Sequence, residues 1–298
     1  MKKSSILNKI YPPTEHLRGE FGKYIEKYCP DVSAFTVGKS ILSRSITLYR
    51  IGEGKTNVLY VGAHHGSEHM TASSLLYLIY KLVEKKRAGK YKKWQKFFSE
   101  FCVNVIPVVN PDGVELAING PSPSPLLERQ LKMAGEEGFL HWQANARGVD
   151  LNHNYDYRFY EYKKIERERE ILPGRTLYSG EYPESEPEAS AIMRLIRTID
   201  FSLIVSLHSQ GEEIYYYPKD ERSEKIAKKA EKLSGYLISD TSGTASYGGL
   251  CDYTGRVMKI PSLTLEIGRG SNPLSAVILP EVSQTVYKTL SELPFALL

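Results

Sequence analysis

Two rhythms of apolar and polar positions alternate along the chain. Short runs dense in β-branched and aromatic residues read as strands: "SITLYRIG" (45–52), "TNVLYVGAH" (56–64), "FCVNVIPVV" (101–109), "FSLIVSLH" (201–208) and "PSLTLEIG" (261–268). The first two are joined by Gly-Glu-Gly-Lys, which predicts a hairpin turn, and the third ends in the turn "NPDG". Between them lie stretches with apolar residues at helical spacing. The stretch 70–89 ends at a glycine stop, 185–199 opens with a Ser185-x-x-Glu188 capping box, and 222–236 and 275–291 are helical in pattern. Continuous apolar strands between amphipathic helices predict an α/β fold with a mixed, largely buried sheet and helices on both faces. Residues 111–182, rich in Pro, Gly and Tyr, read as long functional loops on one rim. No disordered linker and no internal repeat divides the chain, so one domain over residues 1–298 is expected.

Composition narrows the function classes. The net charge of +4 over 298 residues is too weak and too scattered to predict nucleic-acid binding. No apolar run reaches the length of a membrane span, and the N-terminal "MKKSSILNKIYPPTEH" lacks the apolar core of a signal peptide, so a cytoplasmic protein is expected. Cys29, Cys102 and Cys251 are odd in number and far apart, which is not a disulfide framework. The basic stretch Lys81–Lys96 reads as a solvated helix face. Oligomeric state leaves no trace in the pattern.

The polar residues that interrupt this pattern fall at strand ends. "VGAHHGSEHM" places His64, His65, Glu68 and His69 just past one strand; His208 closes another and Glu266 a third. In open α/β sheets the carboxyl edge of the strands is where ligands bind. Two imidazoles and one carboxylate, with a fourth position open, are the donor set of a catalytic zinc site. The helical zinc string His-Glu-x-x-His is absent. The pair His65–Glu68, turning off a strand with Gly66 permitting a tight backbone, is favoured over His65–His69 on a helix, and His69 reads as an N-terminal helix residue.

The segments "GAHHGSEHMTA", "NPDG", "GVDLNHNYD", "SEPE", "LHSQGEEIYYY" and "TLEIG" resemble, in this order, the zinc carboxypeptidases of the carboxypeptidase A superfamily. "WQANARGVDLN" and "LHSQGEEIYYY" lean toward its bacterial γ-D-glutamyl-meso-diaminopimelate peptidase branch. The resemblance spans roughly residues 10–290. It implies an eight-stranded mixed sheet, one Zn2+ per chain held by His65, Glu68 and His208, and Glu266 as general base. It also implies that the Asp150 carboxylate orients the first histidine ligand and that Asn152 grips the substrate's terminal carboxylate.

This chain departs from the family pattern at several positions. His153 stands where the carboxypeptidases carry an arginine clamp for that carboxylate. Gln143 follows Trp142 where a basic residue is common, so either Gln143 or Arg147 is the expected oxyanion donor. Cys251 falls at the specificity-pocket floor. The mobile-loop tyrosine has no clean counterpart; Thr244 matches by position, with Tyr247 close by. The resulting expectation is a zinc metallopeptidase acting on peptides derived from the cell wall, at a γ-D-glutamyl-meso-diaminopimelate amide. A general zinc carboxypeptidase or N-deacylase, and a non-catalytic module binding peptidoglycan peptides, are the alternatives.

Overall fold

The computed structural model describes residues 6–240 and 247–298. Eight strands form one sheet among these residues: β1 Val32–Lys39, β2 Ser45–Ile51, β3 Thr56–Val61, β4 Phe101–Ile106, β5 Phe201–His208, β6 Glu213–Tyr217, β7 Leu237–Ile238 and β8 Ser262–Glu266. Their order is β1-β2-β4-β3-β5-β8-β6-β7. The central strands β4, β3, β5 and β8 run parallel, β1–β2, β2–β4 and β6–β8 pair antiparallel, and β7 pairs parallel with β6. The mixed, twisted sheet expected from the sequence is therefore present.

Alternation along the central strands sends side chains to two separate cores. Val58 and Tyr60 of β3 and Leu203, Val205 and Leu207 of β5 belong to the larger one, with α1 (Glu15–Tyr28), α2 (His69–Ala88) and the C-terminal helix Leu279–Glu292. Leu59 and Val61 of β3 and Ile204 of β5 point to the opposite core, covered by the helix Pro187–Thr198. Burial on both faces explains why these strands read as unbroken apolar runs.

The hairpin expected between 45–52 and 56–64 does not form, because β4 lies between β2 and β3. The Gly-Glu-Gly-Lys link passes over the start of β4 instead. A Cβ on Gly54 would come within 1.9 Å of the Glu100 carbonyl carbon, and Glu53 donates to the Phe98 carbonyl at 3.0 Å. The glycines thus serve a close chain crossing, not a two-residue turn.

Residues 111–182 also hold more structure than loops. After α3 (Lys92–Glu100) come α4 (Pro111–Asn119), α5 (Leu127–Ala134) and α6 (Phe159–Glu168). The "NPDG" segment starts α4: Asn110 is its N-cap, accepting from Gly113 N–H at 2.8 Å, with Pro111 in the first turn.

The capping box of 185–188 is likewise not made. α7 (Pro187–Thr198) has Glu186 at its N-cap without a side-chain cap bond, and Glu188 turns inward to accept from Ile41 N–H at 3.2 Å. α8 spans Glu221–Ser234 and α9 Leu279–Glu292. No helix among the described residues is long and apolar enough to cross a membrane.

Candidate metal centre

Three parallel strands deliver the candidate side chains to one edge of the sheet. Past β3 the chain folds into a short 3-10 turn, Gly66–Glu68, before α2 begins at His69. This turn packs tightly on the 142–143 segment: Gly66 N–H donates to the Gln143 carbonyl at 3.0 Å and Ser67 N–H to the Trp142 carbonyl at 2.7 Å. A Cβ on Gly66 would meet the Gly113 carbonyl oxygen at 2.2 Å, so the approach requires glycine. Asn110 braces the same junction, its Nδ2 lying within 3.2 Å of the carbonyls of His64, Gln143 and Ala144. His208 ends β5 and is paired in register with Glu266, the last residue of β8.

His65, Glu68 and His208 converge so that one ligand atom from each lies within 4.8 Å of the others. His65 Nδ1 is 2.7 Å from Glu68 Oε1, and His208 Nδ1 is 3.1 Å from Glu68 Oε2. The other nitrogen of His65, Nε2, lies 3.1 Å from Asp150 Oδ1. A proton on Nε2 shared with Asp150 leaves the Nδ1 lone pair free for a cation.

The electrostatics support the same fit. Burial disfavours charge on His65, yet the Glu68 and Asp150 carboxylates outweigh it and hold the ring well above the usual histidine range. Burial opposes ionisation of Glu68, but His65 and His208 bring its carboxyl down to about 2. Asp150 is likewise held far below the carboxylate range: burial is outweighed by the His65 charge and its hydrogen bond, with His153 and the Leu177 N–H adding to it. In the metal-free cluster these carboxylates favour a proton on His65, which a bound cation would have to displace.

The three donors line a cavity of about 590 Å³ with Glu266, Gln143, Asp150, Asn152 and His153. Among the described residues no lysine or arginine lines it. Burial, followed by the Glu68 charge, pushes the Glu266 carboxyl well above its ordinary value in the metal-free chain. A dication beside it would draw that value down.

The remaining candidates separate into residues in the cavity and residues outside it. Gln143 is inside. Its Oε1 accepts from the Thr176 hydroxyl at 2.5 Å, and that hydroxyl is also 3.0 Å from Asp150 Oδ2. Arg147 does not line the cavity; its guanidinium pairs with Glu186 Oε2 at 3.0 and 3.1 Å. Cys251 is buried, donates to the Leu263 carbonyl at 3.1 Å and also stays outside the lining. Burial pushes its thiol up to about 12.

Tyr247 meets the site through its backbone, since its carbonyl oxygen lies 2.5 Å from His153 Nδ1, while its ring stacks under the Arg158 guanidinium. Thr244 lies outside the described residues. His64 sits behind the cluster, stacked on His208 with centroids 5.5 Å apart and bonded to the Tyr155 hydroxyl at 2.9 Å. His69, buried at the start of α2, takes no part in the cluster. Thr176 and Tyr215, which line the cavity, and Asn110, which braces it, were not among the expected site residues; Asn110 opens the "NPDG" segment and Tyr215 lies in "LHSQGEEIYYY", whereas Thr176 belongs to no motif.

An α/β sheet that presents two imidazoles and a carboxylate at its carboxyl edge, with a further glutamate facing them, defines a metal-dependent hydrolase. Residues 20–287 match the zinc carboxypeptidase family, and the chain belongs to it. Gamma-D-glutamyl-L-diamino acid endopeptidase 1 of Lysinibacillus sphaericus is 28% identical over 263 residues, covering 85% of this chain and 64% of that protein. The uncharacterized protein YqgT of Bacillus subtilis (strain 168) is 32% identical over 279 residues, covering 89% and 72%. Among solved structures, carboxypeptidase A from Helicoverpa armigera superposes with a TM-score of 0.67 at 21% identity, covering 95% of this chain and 71% of that one, which shows the shared fold. Family and cluster together make the chain a metallopeptidase-type enzyme.

Proposed function

We propose that the chain is a zinc-dependent peptidase that hydrolyses a γ-D-glutamyl–diamino acid amide in peptides derived from the cell wall, with meso-diaminopimelate as the diamino acid. The observation that carries the chemistry is the convergence of His65, Glu68 and His208 in one cavity with Glu266. Support for the substrate comes from the Lysinibacillus sphaericus endopeptidase, 28% identical to this chain. The chain spans 64% of that relative's length. A nitrogen–nitrogen–carboxylate donor set suits zinc, one ion per chain.

When bound, the ion supplies Lewis acidity, polarising the scissile carbonyl and making a water acidic near neutral pH. The chain's own groups do the rest. Glu266, half-buried at the end of β8, accepts the proton of the attacking water and returns it to the departing amine nitrogen. Asp150 keeps the His65 proton on Nε2. Gln143 lines the cavity with its Oε1 engaged by Thr176, which leaves its amide N–H group as the donor available to charge developing on the carbonyl oxygen. Arg147 is committed to Glu186 instead.

The test is mass-spectrometric detection of diaminopimelate released from L-Ala-γ-D-Glu-meso-diaminopimelate, with a chelator control. Chelator-sensitive release is the expected result. Intact peptide in the presence of protein shown to hold zinc refutes the substrate assignment.

A further inference from the structure

The part of the cavity beside the metal cluster offers one hydrogen-bond donor and one acceptor, each fixed by a backbone group that can play only one part. Asn152 Oδ1 accepts the Leu250 N–H at 3.2 Å. Only the oxygen of the side-chain amide can accept, so the Asn152 amino group is left for the cavity that this residue lines. His153 Nδ1 lies 2.5 Å from the Tyr247 carbonyl oxygen. A carbonyl cannot donate, so Nδ1 carries a proton. The ring cannot turn over without losing that bond, and it lies flat on Tyr162, with centroids 4.3 Å apart and planes 2° from parallel. In the neutral ring the other nitrogen, Nε2, is then an acceptor. It makes no hydrogen bond among the described residues, and His153 lines the cavity next to Asn152.

We infer that Asn152 and His153 form a subsite that reads an amide group, C=O to Asn152 Nδ2 and N–H to His153 Nε2, on the leaving side of the scissile bond. This deepens the peptidase reading and rests on it. A carboxylate has only acceptor oxygens. It would satisfy Asn152 but set a lone pair against His153 Nε2, and no lysine or arginine lines the cavity among the described residues to offset the charge.

The groups packed around His153 sharpen the preference. From its own turn the Asp150 carboxylate acts on it electrostatically; from α6 comes the Tyr162 ring; from the 247–248 segment come the Tyr247 carbonyl and, beyond the Tyr247 ring, Arg158, which is paired with Glu161. That nearby negative charge disfavours an incoming carboxylate and favours an N–H donor. A carboxylate-ended peptide is therefore the poorer fit. The enzyme therefore prefers chains that continue beyond the diamino acid, or that end in a carboxamide there.

The experiment compares L-Ala-γ-D-Glu-meso-diaminopimelate with the same peptide carrying a carboxamide at the diaminopimelate α-carboxyl, using the zinc-loaded protein. At about pH 8 the wild type is expected to favour the carboxamide by about tenfold or more in kcat/KM, a factor set by one mispaired buried hydrogen bond. His153→Gln, whose side-chain amide can turn either its oxygen or its amino group to the cavity, brings the ratio toward parity. His153→Arg reverses the ratio.

Two-bond 1H–15N spectra of the histidine rings read the tautomer without any substrate: protonated Nδ1 and bare Nε2 for His153 are expected. An Nε2–H tautomer, or a wild-type preference for the carboxylate at about pH 8, overturns the inference. If neither peptide is cleaved, the same pair is titrated as ligands. A carboxamide preference in Kd then upholds the subsite while the proposed reaction fails, and absence of binding by both overturns the subsite.

Discussion

Replacing Asp150 by Asn tests whether the His65 tautomer is set from behind. Asp150 is buried, and both its oxygens are used: Oδ1 takes His65 Nε2–H at 3.1 Å and Asn152 N–H at 3.2 Å, and Oδ2 takes Leu177 N–H at 3.0 Å beside the Thr176 hydroxyl. An asparagine has one acceptor oxygen for these two sides. With that oxygen toward His65, its amino group faces the Leu177 N–H and leaves a buried donor unpaired, at about 1–3 kcal/mol of stability. Turned round, the amino group faces His65 Nε2 and drives the ring proton to Nδ1, the atom that must be bare to hold a cation. Loss of such a partner weakens metal binding by about 10–100-fold, or about 1.4–2.7 kcal/mol. The assay is a competition titration with a chromophoric zinc chelator, alongside melting of the metal-free and loaded forms. Zinc affinity in Asp150→Asn within about twofold of wild type would refute the tautomer argument.

Glu266→Gln should lower kcat by about 10²–10⁴-fold while leaving one zinc per chain by elemental analysis; persistent turnover contradicts the proton-transfer role. Gln143→Ala should reduce kcat with KM little changed, whereas Arg147→Ala, whose partner is Glu186, should leave both nearly untouched; the reverse pattern exchanges the two. Cys251→Ala should lower the melting temperature without altering KM, because the thiol bonds the Leu263 carbonyl and does not line the cavity. Glu188 is buried near Asp112 and Glu186, and burial first, then these charges, push its carboxyl up to about 8. Its folded value lies above the unfolded value of about 4.3, so the fold favours the protonated form, and that stabilisation is lost as pH rises from the unfolded value through the folded one. Glu188→Gln should therefore gain melting temperature over wild type progressively between about pH 5 and 8; a pH-independent difference refutes the assignment.

The features legible in the sequence were those that local chemistry determines. β3 and β5 are apolar on both faces because both face a core, so their runs were plain, and His65, Glu68, His208 and Glu266 stood out as polar residues at the ends of such runs. Pairing was less legible, since neither strand of the 45–64 segment records that β4, forty residues on, inserts between them. What Gly52 and Gly54 encode is the crossing over Phe98–Phe101, and a glycine for close approach looks the same as a glycine for a turn. Ser185-x-x-Glu188 fitted a capping pattern, but Glu188 is drawn inward by the Ile41 N–H, a contact 147 residues distant in the chain.

Site roles divide along the same line. Metal donors are recognisable as residue types, because imidazole and carboxylate carry that chemistry wherever they converge. Hydrogen-bond direction is not a property of the residue type. Asparagine, glutamine and neutral histidine each offer both a donor and an acceptor, and the face turned to the cavity depends on which one the scaffold consumes. At Asn152 the Leu250 N–H consumes the oxygen, and at His153 the Tyr247 carbonyl consumes the Nδ1 proton. The sequence alone shows only that a histidine replaces the expected arginine and so weakens a carboxylate clamp. Once Leu250 and Tyr247 are in place, the same two residues present a donor beside an acceptor, which is the complement of an amide. On the proposed amide subsite, backbone contacts made by the 247–250 segment set specificity on the leaving side, and exchanges there that shift the Tyr247 carbonyl should alter substrate choice without touching a metal ligand.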